Sequence, residues 1–130
     1  MQERPLEFWD QAEFSRIVRE WPDTVRRQFG NDLRIVQLGG HPGSNAKPLK
    51  GFAIPLWELK HREGQRIVYC THYATLSGKI FVLDAFEKDS RDGSTMRTSD
   101  KDRIERRAKE LTDKMDALKK RSNAASRNLH

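Results

Sequence analysis

Apolar residues in the first third of the chain recur at the spacing of two amphipathic helices. Asp10, with Glu13 three residues later, is typical of a helix N-terminus. Pro22 is expected to end the first helix and begin the second, which Gly39-Gly40 then ends. The two stripes consist of Phe14, Ile17, Val18 and Trp21 and of Val25, Phe29, Leu33 and Val36. The pattern therefore predicts a helical hairpin whose apolar sides belong to the core.

The middle of the chain changes to the pattern of β-strands. Strand-like segments run over about 54–61, 66–73 and 79–86, with connections short enough for an antiparallel meander. Residues 6–9 are a candidate for a fourth, short strand. The loop before the meander, residues 41–46, is rich in Pro, Gly, Ser and Asn.

The last third predicts one long helix. Ser99 is its expected cap, with Asp102 three residues later, and the helix should end near Arg121. Its apolar stripe consists of Ile104, Ala108, Leu111, Met115 and Leu118. We therefore expect one α+β domain over residues 1–121, in which a small antiparallel sheet of three to four strands packs against two N-terminal helices, with a C-terminal helix. The other sheet face should be partly open, and residues 122–130 should form a flexible tail.

Composition narrows the classes of function. A chain of 130 residues, 35% hydrophobic and 34% charged, suits a single domain with an economical core. The single cysteine, Cys70, excludes an internal disulfide and a cysteine-built zinc site. No apolar run approaches the roughly 18 residues of a membrane helix, and the N-terminus lacks the pattern of a signal peptide. We therefore expect a cytoplasmic protein that does not enter a membrane.

The charge is basic and uneven. Lys and Arg number 25 against 19 Asp and Glu, for a net charge of +6, which favours a polyanionic partner such as nucleic acid. Residues 1–46 carry 6 basic and 7 acidic side chains, whereas residues 89–130 carry 12 and 8. An anion-binding surface is therefore expected in the second and third parts of the chain. Residues 101–121 interleave both signs and indicate an ordinary solvated helix surface.

One hairpin of the predicted sheet decides which side chains share a face. A two-residue turn at Glu63-Gly64 would pair His61 with Arg66, and a three-residue turn at Arg62–Gly64 would pair Lys60 with Arg66. The second is favoured because it leaves one face suited to a core, with Trp57, Leu59, Ile67 and Tyr69. Two opposed cations repel each other, so the pair either binds an anion such as phosphate or extends into water.

Six segments, in this order, resemble the HigB-like, phage-derived branch of the RelE/ParE toxin superfamily. They are Trp21–Arg26, Leu33 with Gln37–Gly39, Lys47–Phe52, Trp57–Lys60, Arg66–Tyr69 and Val82–Lys88. The resemblance covers about residues 6–112 and implies a RelE-like fold. It also implies the toxin of a type II toxin–antitoxin pair, a ribosome-dependent endoribonuclease that cleaves translated mRNA without a metal or another cofactor.

The resemblance also implies site residues. Arg66 matches the arginine that contacts the scissile phosphate, Lys60 the basic residue that closes the preceding strand motif, and Lys88 the first lysine after the last strand. Lys47 and Lys50 match a basic loop that binds the RNA backbone. From the residues alone, Glu58 is a candidate base or a structural partner of the cations. The expected catalytic set is Lys60, Arg66, Lys88 and Glu58, and the expected RNA-binding set is Lys47, Lys50, Arg62, Arg91 and Arg97.

The chain departs from the family pattern at the expected acid and base. Asp84 stands where relatives often have histidine, Asp89 replaces a second lysine, and no tyrosine follows the last strand. His61 and His72 are further candidates, because histidine titrates near neutral pH. Two alternatives therefore stay open: a ParE-like toxin that acts on DNA gyrase by protein contact, and a degraded phage-derived remnant that binds only its antitoxin or RNA.

The resemblance implies partners as well. They are a HigA-like antitoxin with a helix-turn-helix domain, the ribosome and its mRNA, and operator DNA for the toxin–antitoxin complex. Met115 and Leu118 lie beyond the length of helix that a small sheet needs to cover it. They are candidate contacts with the antitoxin or with a second copy of the chain; alternatively, they pack on the chain's own helices.

Overall fold

The chain forms an α+β fold around a mixed sheet, as shown by a computed structural model that describes residues 3–52, 54–64, 66–90 and 98–128. Within these residues, five strands and three α-helices follow one another along the chain. The elements are β1 Leu6–Phe8, α1 Gln11–Val18, α2 Asp23–Gln37, β2 Ala46–Leu49, β3 Leu56–Glu63, β4 Arg66–Leu76, β5 Lys79–Ser90 and α3 Thr98–Asn128. A short 3-10 turn over Gly43–Asn45 precedes β2.

The predicted helical hairpin is confirmed. The Asp10 side chain accepts a hydrogen bond from the Glu13 N–H at 3.0 Å and caps α1. Gly39 has a φ of +86°, which favours glycine, and Gly40 N–H bonds to the Ile35 carbonyl at 2.8 Å, so the chain leaves α2 there. The predicted stripe of α2 is buried, namely Val25, Phe29, Leu33 and Val36.

The predicted antiparallel meander is confirmed as β3, β4 and β5, but the prediction of three to four strands is wrong in number, and the sheet is mixed rather than antiparallel throughout. The described sheet has five strands in the order β1-β5-β4-β3-β2, and β1 runs parallel to β5. β2 was missed because its sequence, Ala46–Leu49, is short and contains Pro48, which cannot donate to a ladder. An edge strand tolerates such a proline, and β2 lies at the edge, with Lys47 opposite Glu58.

Both predicted registers of the β3–β4 hairpin are also wrong. Arg66 pairs with Glu63, whereas Lys60 lies opposite Cys70 and His61 opposite Tyr69. The turn falls later in the chain than either prediction places it, with Gly64 at a φ of +64°, and the register shifts between His61 and Arg62. A register shift of this kind moves the pairing beyond it by one residue. The turn residues alone therefore do not give the partner of Lys60.

Helices pack on both faces of the sheet. Side chains alternate between faces along a strand, so Leu59 and Tyr73 pack with α1 and α2, whereas Leu56 and Ala74 pack with α3. The second face is therefore more covered than the sequence predicts. The α3 residues that bury there are Ile104, Ala108 and Leu111.

The last helix begins and ends outside its predicted bounds. It begins at Thr98, so Ser99 lies in its first turn, and it continues to Asn128, beyond the predicted end near Arg121. Its 31 residues span about 46 Å, more than the sheet beneath it requires. Part of the predicted tail is therefore helical, and the domain boundary at residue 121 stays a prediction. No helix in the described part of the chain is long and apolar enough to cross a membrane.

Candidate functional site

A row of ionisable side chains crosses three neighbouring strands on the α3 side of the sheet. Glu58 of β3 is in register with His72 of β4, which is in register with Asp84 of β5. All three are buried, with exposed fractions of 3%, 0% and 5%. A buried charge is costly unless it has a partner, so the contacts among these three residues decide whether the site is stable.

His72 joins the two carboxylates. Its Nδ1 lies 2.9 Å from Oδ1 of Asp84 and its Nε2 lies 3.0 Å from Oε2 of Glu58. Burial alone would lower the pKa of His72, but the charge and hydrogen bond of Asp84, and then those of Glu58, raise that pKa to about 9. The imidazole is therefore a cation at neutral pH and donates a hydrogen bond from each ring nitrogen.

Asp84 connects this row to α3. The Arg103 guanidinium lies 3.4 Å from Oδ2 of Asp84 and 3.0 Å from Oδ1 of Asp100 in the first turn of the helix. The same guanidinium lies over the Phe86 ring, with its central carbon 5.2 Å from the ring centroid. In the β4–β5 pairing, the register shifts between His72 and Tyr73, directly next to the position where His72 pairs with Asp84. The beginning of α3 therefore closes over one end of the row.

Cations surround Glu58 at the other end. Lys88 Nζ lies 3.8 Å from Oε1 of Glu58. Burial acts to raise the pKa of Glu58, but the hydrogen bond and charge of His72, with the charges of Lys88 and Lys60, outweigh it and lower that pKa. Glu58 is therefore ionised, and its lowered pKa makes it a weak proton acceptor. It is better suited to holding the neighbouring cations in place.

Lys60 is at the centre of a group of cations. It lies two residues beyond Glu58 on β3 and is 9% exposed. Burial lowers the pKa of the Lys60 ammonium, the charge of Arg62 lowers it further, Glu58 opposes them, and Lys47 and Lys88 add to the decrease. We call Lys47, Lys60, Arg62 and Lys88 the cationic cluster. Burial is the largest cause of the lowered pKa of Lys60, and the neighbouring cations add to it; positive charges held this close together are suited to binding phosphate.

The structure brings together five of the predicted site residues and separates others. The cationic cluster and Glu58 lie on the neighbouring strands β2 and β3 and on β5, with Lys47 opposite Glu58 and Lys88 3.8 Å from it. Arg66 is exposed at the end of the hairpin, opposite Glu63 rather than Lys60, and Lys50 is exposed just beyond β2. Arg91 and Arg97 lie outside the described residues.

The two candidate histidines have different surroundings. His72 is held in the buried row, whereas the His61 Nδ1 faces the side-chain oxygen of Gln28 on α2. Cys70, which faces Lys60, is fully buried, and burial raises the pKa of its thiol far above the usual value. Neither His61 nor Cys70 is part of the cationic cluster.

The sequence reasoning missed Arg103 and the pairing role of Asp84. A signal for Asp84 was present, because it is the one charged residue in the otherwise apolar run Ile80–Phe86, and a charge in such a position is rarely buried without a partner. Arg103 gave no comparable signal among the many cations of α3. No group of three or more His, Cys, Asp or Glu in the described residues could hold a metal ion.

Comparison with known proteins identifies the family. The model of the family described as phage-derived protein Gp49-like (DUF891) matches residues 16–109, which include α2 and the whole cationic cluster. The chain belongs to this family, which is associated with RelE-like toxin–antitoxin proteins. No curated protein and no solved structure matches the chain.

Proposed function

We propose that this Gp49-like protein is the toxin of a toxin–antitoxin pair and, as its HigB-like sequence segments imply, a ribosome-dependent endoribonuclease that cleaves translated mRNA. The observation that carries the proposal is the position of the cationic cluster around the buried Glu58, with Lys88 Nζ at 3.8 Å and Lys47 directly opposite on β2. Cleavage of a phosphodiester concentrates negative charge on the phosphorane oxygens, and cations held in advance at that position stabilise the transition state.

The reaction uses only the RNA and protein side chains. A base takes the proton of the 2′-hydroxyl, and the 2′-oxygen forms a bond to the adjacent phosphorus. The bond from phosphorus to the 5′-oxygen breaks, and an acid gives that oxygen a proton. The products are a 2′,3′-cyclic phosphate and a free 5′-hydroxyl.

The surroundings of each side chain suggest its role. Lys60 takes part in proton transfer, because its lowered pKa brings it closer to the pH at which it can exchange a proton. Lys88 neutralises charge on the phosphate, and Arg66, exposed at the end of the hairpin, contacts the RNA backbone away from the cationic cluster. Glu58 holds Lys88 in place through the contact at 3.8 Å. Arg62 and Lys47, with Lys50, Arg91 and Arg97, bind the RNA backbone.

The proposal includes partners. A HigA-like helix-turn-helix antitoxin neutralises the protein, and the pair binds its own operator DNA. The ribosome presents the mRNA, which places the protein in the cytoplasm.

Cleavage of mRNA in a bacterial translation extract, mapped by primer extension, tests the proposal. We expect cleavage that requires ribosomes and leaves 2′,3′-cyclic phosphate ends. Lys60→Ala and Lys88→Ala should each lower the rate about 10²–10³-fold, the usual loss for one group that stabilises transition-state charge. Arg66→Ala, which removes an exposed cation from the end of the hairpin, should lower it less. Lys109→Ala, which removes an exposed cation on α3, is the matched control and should cleave normally. Translation that continues on intact mRNA would contradict the proposal.

One observation favours a second candidate, a ParE-like toxin that acts on DNA gyrase by protein contact. Lys60 and Lys88 are only 9% and 8% exposed, so they present little surface to RNA and could serve a structural network instead. A gyrase supercoiling assay separates the two. Inhibition of supercoiling by the wild-type chain, with no cleavage of mRNA, would favour this second function.

A further inference from the structure

An apolar groove lies at the opposite edge of the sheet from β2, between β1, β5 and the second half of α3. Its volume is about 270 Å³, just below what small-molecule pockets occupy, roughly 300–1,000 Å³. Its apolar lining includes Trp9, Phe81, Leu83, Leu111, Met115 and Leu118. Its charged lining is Glu7, Lys79 and Lys114; Glu7 is paired with Lys79 at 3.2 Å, so the excess charge of the lining is positive. A space of this size suits one or two side chains of a protein partner better than a cofactor.

The groove continues the apolar stripe of α3 beyond the sheet. Leu111 is buried and Met115 is partly buried against the same core, but Leu118 is 48% exposed. The stripe advances by alternating steps of four and three residues, the spacing with which one helix packs along another. The apolar stripe of α3 therefore continues past the sheet as an apolar strip, and no described residue covers the end of this strip at Leu118.

Cations border this strip. Lys114 lies four residues before Leu118, Lys119 lies four residues after Met115, and Arg121 lies three residues after Leu118, so all three are surface neighbours of the stripe. Lys114 also lines the groove itself. The nearby acidic residues of α3, Asp113 and Asp116, are at spacings that direct them away from the stripe.

The signs of these charges select the occupant. A second copy packed through the same strip would bring its own lysines and arginine against those of the first, and like charges at such an interface oppose association. RNA would gain from the cations but would cover the Trp9, Met115 and Leu118 surface poorly. An amphipathic helix with aliphatic residues along one side and Asp or Glu on both flanks would fill the apolar groove and pair with the cations that border it.

We propose that the groove between β1 and the second half of α3 is a docking site for an acidic amphipathic helix of a partner protein. This site is separate from the cationic cluster, and the inference does not depend on the RNA chemistry proposed above. It supplies a surface on which a protein partner can bind without covering Lys60.

Binding of a designed helical peptide to the full chain tests the proposal. The probe has leucines at alternating four- and three-residue steps with glutamates on both flanks, and the control peptide has lysines in place of the glutamates. We expect the acidic peptide to bind at least tenfold more tightly. In an NMR spectrum of the tryptophan indole N–H groups, the Trp9 signal should shift, while that of Trp21, buried on the other sheet face, should not.

Variants on α3 sharpen the test. Leu118→Ser, at an exposed position, should weaken binding about tenfold and leave both folding and mRNA cleavage unchanged. The double change Lys114→Glu with Lys119→Glu should reverse the preference to the basic peptide, whereas Lys109→Glu, on another side of the helix, should not. Equal affinity for the two peptides, no effect of Leu118→Ser, or a dimer in light scattering that Leu118→Ser dissociates would each overturn the proposal.

Discussion

Nδ1 of His72 lies 2.9 Å from Oδ1 of Asp84, and the backbone N–H of His72 donates to the same carboxylate oxygen at 3.1 Å. The two residues belong to neighbouring strands, β4 and β5, and both are buried. Because Glu58 holds the other ring nitrogen, the charge of the imidazolium is balanced within the sheet itself. The stability of the fold and the position of the cationic cluster therefore depend on the same contacts.

Stability should fall as the pH rises from about 6.5 to about 9. The pKa of His72 is raised from 6.5 to about 9 in the folded protein, so its stabilisation is fully present below 6.5, where both states are protonated. This stabilisation is lost as the pH rises through about 9, the pKa of His72 in the folded protein. The loss should be on the order of 3 kcal/mol, since each pKa unit is worth about 1.4 kcal/mol. Urea unfolding at pH 6, 7.5 and 9 measures it.

A histidine variant assigns this pH dependence. His72→Gln should lower stability at pH 6 and remove most of the decline toward pH 9. His41→Gln, at an exposed position, should keep the wild-type decline. A wild-type protein whose unfolding free energy is constant over this range would show that His72 is not protonated in the fold.

Removal of one buried carboxylate should be far more costly than removal of an exposed one. Asp84→Asn leaves the His72 cation with one carboxylate and takes a partner from Arg103, so we expect a loss of about 3–5 kcal/mol. Glu3→Gln breaks the exposed ion pair with Arg34 and should cost less than about 1 kcal/mol. Chemical denaturation of the two variants gives the comparison, and equal losses would show that the Asp84 pairing adds nothing.

The thiol of Cys70 should be unreactive in the native protein. It is fully buried, and burial raises its pKa, so almost no thiolate forms at neutral pH. A thiol reagent such as Ellman's reagent should label the chain only at the rate of unfolding, and labelling should become rapid in urea. Rapid labelling without denaturant would mean that the sheet opens around Lys60.

Two glycines should respond in opposite directions to alanine. Gly30 lies inside α2, and a Cβ there would meet no atom within 4 Å; Gly30→Ala should therefore stabilise the protein by roughly 0.5–1 kcal/mol. Gly64 has a φ of +64°, so Gly64→Ala should destabilise it by about 1–2 kcal/mol. Thermal unfolding of both variants checks the pair. A loss of stability in Gly30→Ala would show that α2 packs more tightly at that position than the open space indicates.

The candidate site could be predicted only in part. Lys60, Lys88, Glu58, Lys47 and Arg62 were all expected to act on RNA, and the structure places them together. The expected contact between Lys60 and Arg66 is absent from the β3–β4 pairing, because the hairpin pairs Arg66 with Glu63, three residues nearer the turn than Lys60. His72 was expected as one of two possible acid–base residues, but its position between Glu58 and Asp84 depends on three strands at once, which no local pattern contains.

The sequence by itself determined the helices, the three long strands and the direction of their apolar sides. These follow from caps, glycines and side-chain periodicity, which act over a few residues, as at Asp10 and along the stripe of α2. Only the tertiary structure decided that β1 pairs parallel with β5, that β2 forms, and that Glu58 meets His72 and Asp84. Each of these depends on contacts between segments far apart in the chain, and a shift of one residue in register changes which side chains meet.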